Sequence, residues 1–161
     1  MKLPVITCVG ILALNAGIHA PVALATEAAN ATAFCQGALP VSDTQIRKRP
    51  LALRNEGTAT AFVSCSVPVN FAGPNFLLDV IVVNRNAAPA TVRCTLVDGV
   101  VAEIGETDPG YYPLSVDVGP GGTGILEWWP PDFGLEVFTS TANFSCALPP
   151  GVEIALISAD E

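Results

Sequence analysis

Four carboxylates crowd one short segment, "DGVVAEIGETDPGYY": Asp98, Glu103, Glu106 and Asp108. Paired carboxylates are the acid and base of most glycoside hydrolases. Beside glycines, the same oxygens suit Ca²⁺. The order here does not follow the EF-hand loop, and no spacing singles out an acid and a base. A solvated acidic loop is the reading preferred over calcium, and no metal or cofactor is expected. Histidine chemistry is also closed. The one histidine, His19, lies in a segment expected to be removed on export. That excludes Ser-His-Asp and Cys-His nucleophiles and His-ligated zinc, copper or iron. The chain is therefore read as not an enzyme, with a carboxylate-based secreted hydrolase as the alternative.

Aromatic residues offer a second kind of chemistry. In "ILEWWPP" the two-residue period of a strand sends Leu126 and Trp128 to one face, and Ile125 and Trp129 to the other. Trp128 is expected in the core and Trp129 at the surface. With Tyr111 and Tyr112, an exposed Trp129 would form a stacking platform for sugar rings or a protein partner. The preferred reading is instead that Trp129 folds onto its own surface under Pro130-Pro131. The connection over 99–111 is long enough to be functional, so an inhibitor that presents this loop is a further reading.

Charge narrows the partners. The chain has 7 Lys+Arg against 15 Asp+Glu, a formal net charge of −8, and loss of Lys2 on export makes the remainder more negative. Such a field repels phosphate backbones and anionic membrane surfaces, so nucleic acid is excluded as a partner. Basic residues concentrate in "IRKRPLALR", which holds Arg47, Lys48, Arg49 and Arg54. An anionic-ligand patch or a protease-sensitive site would account for them. A charged edge strand, protected with Pro50 against sheet-to-sheet pairing, is preferred. Asn30 and Asn143 stand in N-x-S/T sequons, which matter only in a glycosylating host.

The elements that must position these residues begin after the N-terminus. Met1-Lys2, the apolar run Leu3–Ile18 and Ala23-Leu24-Ala25 describe a secretory signal peptide over 1–25. It is too short for a confident membrane span, and no membrane insertion is expected after cleavage. Cys8 is discarded with it. Residues 26–161 then form one domain, whose lead 26–33 is expected to fray.

Four cysteines remain: Cys35, Cys65, Cys94 and Cys146. An even number at long spacings in an exported chain reads as two disulfides rather than a thiolate metal site. Three pairings are open, of which Cys35–Cys65 with Cys94–Cys146 is favoured. The segments "TAFVSCSVPV", "ATVRCTLVDG" and "ANFSCALPPG" each place apolar residues two positions either side of a cysteine. Cys65 thus shares a face with Val63 and Val67, Cys94 with Val92 and Leu96, and Cys146 with Phe144 and Leu148.

Four turn-linked strand pairs follow from Gly/Pro/Asn punctuation: 51–54 with 59–67, 76–84 with 90–97, 114–118 with 123–129, and 138–148 with 152–157. They are read as hairpins of an all-β, disulfide-stapled antiparallel sandwich, Ig-like or similar, of about eight strands.

The stretches "LRNEGTATAFVSCSVPV", "VIVVNRNAAPATVRCTL" and "ANFSCALPPGVEIALI" resemble a loose group of small exported bacterial proteins of unknown function. In that group Cys-bearing strands recur in this order. Ser66 stands where the group has proline. The resemblance implies a disulfide-bonded β-sandwich and no particular activity. The expected function is a binding or structural module in the periplasm or extracellular space, with a protein or glycan partner.

Overall fold

The computed structural model describes residues 26–67, 77–99, 109–138 and 141–160. The expected signal peptide and residues 100–108 of the acidic connection lie outside them. Eleven strands are present among the described residues: β1 Thr26–Asn30, β2 Cys35–Gly37, β3 Ile46–Arg49, β4 Ala52–Asn55, β5 Ala61–Ser66, β6 Leu77–Asn84, β7 Ala90–Asp98, β8 Gly110–Val118, β9 Thr123–Trp128, β10 Asn143–Leu148 and β11 Val152–Asp160. Two short helices, α1 Ala31–Phe34 and α2 Pro40–Asp43, and a 3₁₀ turn at Pro130–Phe133 complete the order.

The strands form two antiparallel sheets. Sheet A runs β3-β4-β11-β6-β9, with β1 also on β11, and sheet B runs β2-β5-β10-β7-β8. The architecture is the expected disulfide-stapled sandwich. Its count exceeds eight because the short outer strands β1, β2 and β3 carry little hydrophobic signal. Both bridges form as favoured, Cys35–Cys65 and Cys94–Cys146. Each joins directly opposed residues on neighbouring strands of sheet B, unlike the inter-sheet bridge of an immunoglobulin domain. Val63, Val67, Val92, Leu96, Phe144 and Leu148 are buried with their cysteines, as alternation requires.

The hairpin expectation is corrected. Each of β4–β5, β6–β7, β8–β9 and β10–β11 places one of its strands in sheet A and the other in sheet B. Four arches therefore stand side by side, and every long pairing is between arches. Strand alternation and turn residues look the same for a hairpin and an arch. Buried asparagines turn two of these corners. Asn55 donates to Ala59 O and Leu148 O, both at 2.8 Å, and accepts from Gly57 N. Asn84 repeats this, donating to Ala88 O at 2.8 Å and Val118 O at 3.0 Å, and accepting from Asn86 N. Each amide thus closes its own loop and ties it to the neighbouring arch, which satisfies a polar group that is costly to bury alone. At the β10–β11 corner Gly151 has φ 71°, and a Cβ there would collide with the Asn86 side chain. Only glycine combines that backbone with that contact.

The frayed lead is also corrected. Thr26–Asn30 pairs in register with Leu156–Asp160. Main-chain hydrogen bonds hold it, and they need no hydrophobic pattern to announce them. Between the sheets, Trp128 and Phe144 meet with ring centroids 4.8 Å apart. The Trp128 indole donates to Tyr112 O at 2.7 Å, so its buried N–H is satisfied.

Candidate functional site

The outer face of sheet A carries the exposed tryptophan. Along β9, Gly124, Leu126 and Trp128 point inward, while Thr123, Ile125 and Glu127 point out. Trp129 continues the extended backbone at φ −101°, ψ 116°, and is 47% exposed. The expectation that it folds away beneath Pro130-Pro131 is thereby corrected: the chain stays extended through Trp129 and leaves the ring exposed. Ile125, 54% exposed, lies opposite Ile81, which in turn lies opposite Leu156. One row nearer Trp129, Glu127 opposes Asp79, and Asp79 opposes Ser158. An apolar row and a carboxylate row thus lie side by side next to the indole.

Asp79 is the unusual member. Its Oδ2 accepts from Ser158 Oγ at 3.2 Å, whereas its Oδ1 is buried without a partner. Burial raises the proton affinity of this carboxyl above the ordinary value. The Ser158 hydrogen bond works against the rise, and the nearby charges of Glu127 and Asp160 add to it. Asp79 lies within the apolar run "LLDVIVV". An acid inside such an apolar run is the one sequence signal that marks it.

The other two aromatic candidates do not join Trp129 in one platform. Tyr111 is 64% exposed on the outer face of sheet B. Tyr112 points the other way and is half-buried. Its ring packs on Phe133 at 4.9 Å and Phe138 at 5.6 Å. The three residues gather at the same end of the β8–β9 arch, but alternation in two different sheets sends the exposed rings toward opposite faces.

At the other end of the same outer face, three arches meet on one carboxylate. Glu153 of β11 is buried, and Arg54 Nε donates to its Oε2 while Arg85 Nε donates to its Oε1, both at 2.7 Å. Burial opposes its ionisation. The hydrogen bonds and charges of Arg85 and Arg54 outweigh that and hold the carboxyl below its ordinary range. Arg47, Lys48 and Arg49 of the basic run fall on β3, at one edge of sheet A, whereas Arg54 falls on β4, one strand in. On β3, Arg47 donates to Asp43 O and Ile46 O, and Arg49 pairs with Glu56. This placement agrees with the protected-edge reading.

Among the acidic-loop candidates, Asp98 is buried at the end of β7. Glu103, Glu106 and Asp108 lie outside the described residues, as does most of the 99–111 loop of the inhibitor reading. Among the described residues, no three His, Cys, Asp or Glu side chains are grouped to hold a metal ion, and no helix is long and apolar enough to cross a membrane.

No family model and no curated protein matches the chain. Solved structures show a distant likeness. A family 11 carbohydrate-binding module from Clostridium thermocellum, in complex with a mixed-linked β-1,3-1,4 tetrasaccharide, is 9% identical with a TM-score of 0.42, over 88% of this chain and 91% of that one. An exo-β-1,3-galactanase from Phanerochaete chrysosporium is 10% identical with a TM-score of 0.45, over 84% of this chain. A Podospora anserina β-(1,4)-mannanase is 12% identical with a TM-score of 0.35, over 83% of this chain. The chain spans 29% of the galactanase and 27% of the mannanase. At these scores the likeness is of general architecture, and no ligand is carried over from it.

Proposed function

We propose that the protein is a non-catalytic binding module that takes a neutral carbohydrate on the outer face of sheet A. The observation that carries the reading is the exposed Trp129 indole beside the Asp79–Glu127 carboxylate row. An indole face stacks on the apolar face of a sugar ring, and carboxylate oxygens accept hydrogen bonds from sugar hydroxyls. Residence in an oxidising compartment, secreted or periplasmic, fits the two disulfides.

Affinity gel electrophoresis against a panel of neutral polysaccharides tests this. At least one should retard the wild-type protein. Trp129→Ala should migrate freely while keeping its melting temperature. Failure of every polysaccharide, or equal retardation of both proteins, overturns the proposal.

One observation favours a second reading, the carboxylate-based hydrolase. Asp79 holds its proton more tightly than usual and stands directly across from Glu127, which suits an acid beside a base. Both groups stand on a sheet's outer surface rather than within a cleft, so binding is preferred. Release of reducing ends from the retarding polysaccharide, lost in Asp79→Asn, would decide for hydrolysis.

A further inference from the structure

The outer face of sheet B differs in kind. Its rows run Gln36–Ser64–Ser145–Thr95–Pro113 and, one step along, Phe62–Ala147–Arg93–Ser115, with Phe62 exposed at the far end. Arg93 is exposed in the middle of β7 and makes no hydrogen bond or ion pair with any described residue. The other arginines are all engaged: Arg47 on backbone carbonyls, Arg49 on Glu56, and Arg54 and Arg85 on Glu153. In a chain with 15 acids and 7 basic residues, an arginine that finds no carboxylate contributes nothing visible to the fold.

Two shallow depressions flank it. One, of about 450 Å³, is lined by Arg93, Thr95, Pro113, Leu114 and Ser115. The other, of about 250 Å³, is lined by Arg93, Thr60, Thr91, Ala147 and Pro149. Arg93 lines both and can serve either. Asp117, also on this face, accepts from Thr91 Oγ1 at 2.5 Å, so its nearest engagement is a hydroxyl.

We propose that this face is a second ligand site, in which Arg93 takes the carboxylate of an acidic oligosaccharide. The planar guanidinium fork matches a carboxylate with two parallel hydrogen bonds. The hydroxyls of Thr95 and Ser115 complement sugar hydroxyls on one side, and those of Thr60 and Thr91 do so on the other. The chain's net charge of −8 selects among anionic polymers. Its field disfavours a densely charged strand such as nucleic acid, and tolerates one whose charges are spaced and met singly by Arg93. The site is on the opposite sheet from Trp129 and does not depend on the neutral-carbohydrate reading.

Isothermal titration of the purified protein with oligogalacturonate tests this, with the carboxyl-reduced oligosaccharide and inorganic phosphate as comparison ligands. Oligogalacturonate should bind, and its reduced counterpart should bind about tenfold more weakly or worse, as expected for loss of a charge-assisted pair. Arg93→Ala should lose affinity by at least about tenfold with an unchanged melting temperature. Arg93→Lys should fall between, because it keeps the charge and loses the fork. Trp129→Ala should bind as wild type. The inference is overturned if oligogalacturonate does not bind, or if Arg93→Ala binds it equally well. It is also overturned if the carboxyl-reduced form binds as tightly, if inorganic phosphate displaces it at matching concentration, or if Trp129→Ala abolishes binding.

Discussion

On the outer face of sheet A, Arg54 and Arg85 close on the buried Glu153, and Asp79 crowds against Glu127. On the outer face of sheet B, Arg93 stands among hydroxyls with no described partner. The same alternation builds both faces, yet their charges answer to different demands. The Glu153 network joins strands from three arches, so it is part of what keeps them in register. Arg93 joins nothing. The comparison separates charges that hold the fold from charges left available to a ligand. Within sheet A a second contrast appears. Glu153 is stabilised as an anion by two guanidinium groups, whereas Asp79 is an anion made costly by burial and two like charges.

The largest expected effect sets the inner face of β7 against its outer face. Val92 is fully buried, and Arg93 is exposed. Val92→Asp should yield no folded protein, since an unpaired buried carboxylate costs several kcal/mol against a typical stability of about 5–15 kcal/mol. Arg93→Asp should shift stability by less than about 0.5 kcal/mol. Similar thermal melts for the two would break the assigned register.

The adjacent tryptophans give the next contrast. Trp128→Ala should cost about 3–5 kcal/mol in urea denaturation, as for loss of a core aromatic. Trp129→Ala should stay within about 0.5 kcal/mol. Iodide should quench one indole and spare the other. Quenching of both would mean that β9 is wrongly faced.

These contrasts were legible in the sequence because they rest on alternation within single strands. "ILEWWPP" and the three cysteine segments state inside and outside residue by residue, and burial agrees. The arches were not legible. Asn55 and Asn84 mark the corners, but the carbonyls they hold, Leu148 O and Val118 O, are contributed by strands remote in sequence. The Asp79–Glu127 row and the Glu153 network were hidden for the same reason, since cross-strand register joins β6 to β9 and β11. The β1 pairing left no pattern, because Ala28 and Ala29 need only fit.

A smaller effect sharpens the view of the fold-holding charges. Glu153→Gln should destabilise by about 1–3 kcal/mol, less than a fully buried pair because both arginines reach solvent. The sign with pH follows from the lowered carboxyl. Its contribution is present above the ordinary value of 4.5 and is lost as pH falls through the lower folded value. Wild type should therefore lose its advantage over Glu153→Gln as acid is added. An advantage that persisted in strong acid would count against the ion-pair account.

The smallest effect has the opposite sign. Asp79 holds its proton more tightly when folded, so its charged form is penalised once pH rises from the ordinary 3.8 through the higher folded value. Asp79→Asn should melt above wild type at neutral pH, and the difference should shrink as pH falls toward 3.8. A variant less stable than wild type at neutral pH would show that the Ser158 contact outweighs the burial cost.

The division of labour between the two faces is tested most directly by amide chemical-shift mapping of one labelled sample. A neutral oligosaccharide from the retarding polysaccharide and oligogalacturonate are titrated in separately. The neutral ligand should perturb Asp79, Ile125, Glu127 and Trp129 on sheet A. The acidic ligand should perturb Arg93, Thr95 and Ser115 on sheet B. Perturbation of one and the same face by both ligands, or of neither, would contradict the account.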